Sequence, residues 1–385
     1  MVTAIVSIIM FLALISFHEF GHFIVGKILK FKIDEFSIGM GPLIFKKQKG
    51  ETQYSLRLLP LGGYCKFEGE DDADTQSDRA FANQKPWKRL AVLVAGGICN
   101  IILGFMLFVC IVPAISPVST NVTETVVAGS YAEQSGMLPD DRIIAVNGKG
   151  VSCFNDIALY SQNFKKDENA TIKVKRGNEK FEFEFKPSEQ LIEKNYIDSG
   201  VYVRISVNGV LNDRYYAPYS ENNPRDESLI GTTQTITRYT MGFSLQKMDI
   251  NALNVWGEAW NRTKFVVKLV YQSFWQIVTG KIGIQEVSGP VGIVKEVNTA
   301  VNSGDESWLD VLNLIALLTI NLGIFNLLPI PALDGGRILF VLWEMITRKR
   351  IPPDKEGIIH AVGMALLLLL VLVISFKDVM SLFGG

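Results

Sequence analysis

FLALISFHEFGHFIVG, residues 11–26, places His18, Glu19 and His22 inside an otherwise apolar run. Glu19 is the only formal charge among residues 1–26, and a bilayer crossing needs about 20 mostly apolar residues. Ionisable groups at that depth cost roughly 3 kcal/mol or more each unless they have partners, so they point to function rather than to packing. The run has no basic leading segment and no small-residue cleavage site. It therefore reads as a retained helix rather than a secretory signal.

Outward from this run, the rest of the chain repeats the apolar pattern. Residues 90–115, 311–333 and 357–376 carry no Asp, Glu, Lys or Arg. The expected fold is a multi-pass α-helical membrane protein with four transmembrane helices, over 1–31, 88–115, 308–336 and 357–376. The 385 residues hold 38 Lys and Arg against 39 Asp and Glu, a net charge of −1. That balance excludes an obvious polyanion binder, and no nucleic-acid partner is expected. Lys27, Lys30, Lys32, Lys46, Lys47 and Lys49 follow the first span, Lys85, Lys88 and Arg89 precede the second, and Arg337, Arg348, Lys349 and Arg350 follow the third. Cations near membrane ends stay cytoplasmic, so both termini and the large region between the second and third spans are expected outside.

His18-Glu19-Phe20-Gly21-His22 is an H-E-x-x-H pattern: histidines four apart share a helix face and can reach one Zn²⁺. Glu19 then stands beside the metal, placed to take a proton from an acidified water and pass it to a leaving amine. A catalytic zinc needs a third protein ligand. The candidate is Asp334 in NLLPIPALDGGR, residues 326–337, where Pro329 and Pro331 break the helix and Gly335 and Gly336 permit close backbone approach. Two neutral histidines and one carboxylate would leave the site at net +1. At about 1.5 Å per residue, His18 lies about 14 Å along its helix from Lys27, and Asp334 adjoins Arg337, so both halves approach the cytoplasmic side. His360 opens the fourth span with no acidic neighbour and reads as structural. Cys65, Cys99, Cys110 and Cys153 form no C-x-x-C pair, which argues against a thiolate site or a disulfide framework.

With these residues in place, the chain resembles the site-2 proteases, and among them the bacterial intramembrane zinc metalloproteases of the RseP type. The resemblance covers nearly the whole chain. It rests on the membrane-embedded His18–His22 motif, the 326–336 motif, the Ser288-Gly-Pro-Val-Gly292 stretch and a PDZ-like region between them. It implies His18, His22 and Asp334 as zinc ligands, Glu19 as catalytic acid/base, and Asn326 as a residue holding substrate backbone. Pro329, Pro331 and Asn100 complete the expected substrate-binding set. Many relatives have Gly-Pro-x-x-Asn where this chain has Gly96-Gly97-Ile98-Cys99-Asn100, which removes any detailed role for Gly97. The implied activity is regulated intramembrane proteolysis of single-span substrates, such as anti-sigma factors or signal-peptide remnants, trimmed beforehand by another protease.

Residues 32–67 read as a membrane-associated β-hairpin, with apolar strands on either side of a polar Lys47–Glu51 turn. An intact substrate helix shields its peptide bonds, and a hairpin edge offers strand pairing to a locally unwound one. Residues 120–188 resemble a PDZ-like α/β domain, a filter or recognition module for trimmed ends. Residues 189–250 carry no assignable role. Residues 251–292, with Trp256, Trp260, Tyr271 and Trp275 among Lys and Arg, suit an amphipathic helix on the membrane surface, and 280–292 is expected to fold back toward the active site. Two other classes stay open: a polytopic zinc transporter, and a PDZ membrane scaffold with a vestigial metal site.

Overall fold

The computed structural model describes residues 2–70, 77–161, 168–219, 225–281, 289–304 and 307–383. In chain order the elements are α1 (Val2–Ile28), β1 (Ile33–Lys49), β2 (Thr52–Phe67), α2 (Pro86–Ala114), β3 (Val118–Val126), α3 (Tyr131–Gln134), β4 (Arg142–Val146), β5 (Lys149–Gly150), α4 (Phe154–Ser161), β6 (Ala170–Arg176), β7 (Glu179–Phe185) and β8 (Ser188–Ile197). They continue with β9 (Gly200–Val207), β10 (Val210–Pro218), β11 (Thr233–Thr240), β12 (Phe243–Met248), α5 (Val255–Val278), α6 (Pro290–Val301), α7 (Ser307–Leu327), α8 (Asp334–Thr347) and α9 (Pro353–Phe383). The chain divides into two compact units, one of residues 1–114 and 266–385, the other of 115–265.

Among the described residues, the first unit contains four helices long and apolar enough to cross a membrane, within Val2–Ile28, Pro86–Ala114, Trp308–Leu327 and Asp354–Met380. The second of these, α2, is the most enclosed, and α9 the most open, with Leu366, Leu368, Leu369 and Leu372 turned outward. At the α2–α7 crossing, Gly97 and Gly323 face each other, and a Cβ on either would come within 2.7 Å of the other's carbonyl oxygen.

The third apolar stretch does not run through residue 336 as its composition leads one to expect. Helix α7 stops at Leu327 and α8 begins at Asp334. Pro329 and Pro331 lack the N–H a continuing helix would need, and Ala332 turns left-handed at φ +79°. Asp334 therefore opens a helix, where its charge complements the N-terminal dipole. The fourth span is longer than 357–376, because Asp354 and Glu356 favour a start at Pro353 in the same way.

Strands β1 and β2 form more than a simple hairpin. Residues 35–38 pair with 63–66 and also with 53–56, while 43–49 pair with 52–57. The ribbon thus folds over on itself, turning at Gly39 and Gly41, both at positive φ. Among the described residues, this leaves 63–67 with one paired side. Its base is packed by Phe31, Phe67 and Phe81, whose ring centroids lie 5.5–5.7 Å apart, with Ile33, Val92 and Leu93.

Among the described residues, the second unit holds two antiparallel sheets. One has the order β12-β3-β4-β6-β7, with β5 beside β4, and a core of Ala132, Met137, Ile143, Val146, Ile157, Ile172 and Val174. Its outer strand β12 comes from beyond residue 188 and pairs with β3. The other sheet, β10-β9-β8-β11, fills most of the stretch 189–250. Asn208 and Gly209, both at positive φ, close the two-residue turn from β9 to β10.

Of the amphipathic segment 251–292, α5 accounts for 255–278. The expected fold-back of 280–292 falls largely on 282–288, which lie outside the described residues, as does Ser288. Helix α6 follows, and its Val297 packs against Met10 and Leu14 of α1.

Candidate active site

Helix α1 presents His18 and His22 on one face, and the first turn of α8 brings Asp334 to them. His18 Nε2 lies 3.0 Å from Asp334 Oδ2, His22 Nε2 lies 3.1 Å from the same oxygen, and the two Nε2 atoms are 3.1 Å apart. Both rings are buried, and their planes stand at 83°. Among the described residues these three form a group able to hold one metal ion.

The donor set fits zinc. Tetrahedral coordination at about 2.0–2.1 Å places ligand atoms about 3.3 Å apart, close to the edges of this triangle. The ring protons agree with that use: His22 Nδ1 is 2.8 Å from the carbonyl oxygen of Val92 and donates to it, so the Nε2 lone pair faces Asp334. Space is made by Gly96 on α2, where an added Cβ would lie 2.4 Å from His22 Nε2. Gly335 is equally constrained, since a Cβ there would stand 1.8 Å from the Leu328 carbonyl oxygen. Any side chain at 335 would push the Asp334 turn away.

Glu19 is held from the strand side. The backbone N–H of Cys65 donates to Glu19 Oε2 at 3.0 Å, across the unpaired side of 63–67. Glu19, His22 and Asp334 line one cavity of about 380 Å³ together with Tyr64–Phe67, Phe81, Val92 and Leu93. Glu70 and Arg337, which pair with each other, close part of its wall. Burial, followed by the nearby Glu19 carboxylate, pushes the Cys65 thiol up.

The remaining candidates are placed unequally. Asn326 approaches the cluster, with Nδ2 3.4 Å from both ring nitrogens of His18. Asn100 is fully buried between α2 and α7, and neither atom of its amide has a hydrogen-bond partner among the described residues. Pro329 is exposed and Pro331 packs toward Gly363 of α9. The sequence reading missed the Val92 carbonyl, the Cys65 N–H and the Glu70–Arg337 pair. Only the last had a signal, as a charged pair beside apolar segments.

Two histidines and a glutamate on a helix of membrane-crossing length, met by an aspartate from the first turn of the shorter helix α8, are the parts of a membrane-embedded metallopeptidase. The comparisons agree. The chain belongs to Peptidase family M50, the site-2 protease family, whose model matches residues 6–370. A Clostridium acetobutylicum protein whose name places it provisionally among the zinc metalloproteases is 33% identical over 377 residues, covering 97% of this chain and 96% of its own. A similarly named Fusobacterium nucleatum protein is 30% identical over 387 residues, covering 99% and 100%. The zinc metalloprotease RasP of Oceanobacillus iheyensis is 27% identical over 465 aligned residues, covering all of both chains.

Proposed function

We propose that this membrane protease is a zinc-dependent intramembrane endopeptidase that cleaves single-span membrane proteins, with His18, His22 and Asp334 as ligands and Glu19 as general acid/base. The reading rests on the triangle of donor atoms, 3.0–3.1 Å on each edge, with Glu19 in the same cavity. Zinc held there supplies Lewis acidity toward water and the scissile carbonyl. Glu19 takes the proton of the attacking water and delivers it to the departing amine, while the Cys65 N–H keeps one carboxylate oxygen pointed inward. Asn326, beside His18, is placed to meet the substrate's main chain.

The substrate reaches this centre as an extended strand along residues 63–67, whose outer side already offers Cys65 N–H to Glu19. Main-chain pairing gives affinity with little sequence preference. The distribution of Lys and Arg puts the catalytic end toward the cytoplasm of a bacterial cell and the second unit outside. The sheet of β3, β4, β6, β7 and β12 with α3 and α4 is PDZ-like and filters trimmed substrates such as anti-sigma factors or signal-peptide remnants.

The test is Glu19→Gln. Purified protein should retain its zinc and thermal stability, and cleavage of a single-span substrate should fall about 10²–10⁴-fold. Unchanged cleavage would eliminate the proposal.

A further inference from the structure

The turn between α7 and α8 bends at Ala332, whose φ of +79° is one that L-residues rarely adopt. Asp334 stands two residues later. Something must hold this turn, and its partner comes from another helix. The N–H of Ala332 donates to Nδ1 of His360 on α9 at 2.9 Å. On the far side of Asp334, an added Cβ at Gly336 would lie 3.2 Å from His360 Cε1. The imidazole therefore touches the chain on both sides of the aspartate.

Two further contacts fix the ring and its helix. Phe340 of α8 meets the imidazole edge-on, with centroids 5.6 Å apart and planes at 82°. Gly363, on the same face as His360 one turn later, lets α9 close on Pro331, where an added Cβ would lie 2.4 Å from the proline Cβ. Because Nδ1 accepts a hydrogen bond, the proton of the neutral ring sits on Nε2. The ring lines a polar cavity of about 310 Å³ that also borders Arg337, while Nε2 itself is buried and has no hydrogen-bond partner among the described residues.

We infer that His360 is a positioning residue: by accepting the Ala332 N–H it holds the left-handed turn that aims Asp334 at His18 and His22. The bland reading, a histidine that merely fills space at the start of α9, predicts that shape matters and the Nδ1 acceptor does not. The inference rests on Asp334 being a metal ligand. Wild-type protein that binds no zinc would defeat that assignment, whereas zinc-replete wild type with indifferent variants would defeat this inference alone.

The two are separated with His360→Phe, which keeps a ring against Phe340 but removes the acceptor, and His360→Asn, whose amide oxygen can occupy the Nδ1 position. Both are made in the full-length protein, with folding monitored by thermal unfolding. The readouts are the rate of zinc loss to a chelator, the visible spectrum after cobalt substitution, and kcat and KM for a single-span substrate. Loss of an outer-shell partner weakens metal sites by about 10–100-fold. H360F should lose zinc about tenfold faster, show an altered cobalt spectrum and lower kcat about tenfold, with KM within about twofold. H360N should recover most of each. Equal zinc retention in H360F and wild type would overturn the inference, as would equal impairment of both variants. Should H360F fail to fold, H360Q, whose amide reaches the Nε2 position instead, replaces it as the acceptor-free control with the same expectations.

Discussion

A main-chain carbonyl decides how His22 presents itself: with Nδ1–H donated to Val92 at 2.8 Å, only Nε2 is left to face Asp334. The same segment of α2 brings Gly96 against the ring, so Gly96→Ala sets a methyl where the Nε2 atom now lies 2.4 Å away. Overpacking of this kind costs about 1–3 kcal/mol. The expected outcome is a lower melting temperature and a substoichiometric zinc content by elemental analysis; full zinc occupancy would show that the ring has room to retreat. Glu51, at the hairpin tip, gives a pH dependence. Arg79 grips it through two hydrogen bonds of 2.7 and 2.8 Å and Lys27 adds a third at 3.1 Å, which lowers its pKa from about 4.5 to about 2. A depressed carboxyl stabilises the fold fully above its unfolded value and loses that contribution as pH falls toward its folded one. Limited proteolysis should therefore cut residues 46–52 faster as pH drops from 5 toward 2, and Glu51→Gln should abolish that dependence at the tip. Of the site itself, the i, i+4 spacing is enough to put two imidazoles on one face. The groups that orient the site, Val92 O for His22 and Cys65 N–H for Glu19, are main-chain atoms and leave no mark in side-chain identity.

Among the elements, the strand 63–67 connects fold to chemistry most directly, since one side pairs with 35–38 and the other reaches Glu19. Cys65→Pro removes the N–H while leaving the strand's inner pairing largely intact. Cleavage should fall at least about tenfold with zinc content unchanged, because the bond that orients Glu19 is lost and the strand's outer edge carries a proline. If strand addition captures substrate, Gly or Pro placed in the substrate helix should accelerate cleavage. Equal rates for rigid and helix-broken substrates would rule that step out. The apolar spans were legible because a crossing helix is a matter of length and hydropathy. The end of the third was not, since uncharged residues continue to 333 while Pro329 and Pro331 stop the helix at Leu327. The fold-over of the hairpin was hidden for another reason. Strand alternation shows which residues are extended but not that 35–38 acquire a second neighbour in 53–56. The sheet over 188–240 escaped because its strands are rich in Tyr, Asn and Thr, yet the Asn208-Gly209 turn between apolar valines was a usable signal.

At the scale of the molecule, the chain keeps the proposed zinc ligands and Glu19 in one unit and a pair of sheets in another, inserted between α2 and α6. If the second unit filters substrates, replacing residues 120–248 with a short flexible linker should leave cleavage of trimmed single-span substrates within about threefold, because the proposed zinc ligands and Glu19 all lie in the first unit. The same chain should begin to cut substrates that still carry a folded outer domain; continued refusal of them would assign selection elsewhere. Everything in this account depends on one ion held by α1 and the start of α8. X-ray absorption at the zinc edge of purified, active protein tests this most directly. The account predicts one zinc per chain, surrounded by nitrogen and oxygen at about 2.0–2.1 Å, with two imidazoles and no sulfur, and loss of that signal in Asp334→Ala. Active protein without zinc, or zinc bound through cysteine sulfur, would contradict it.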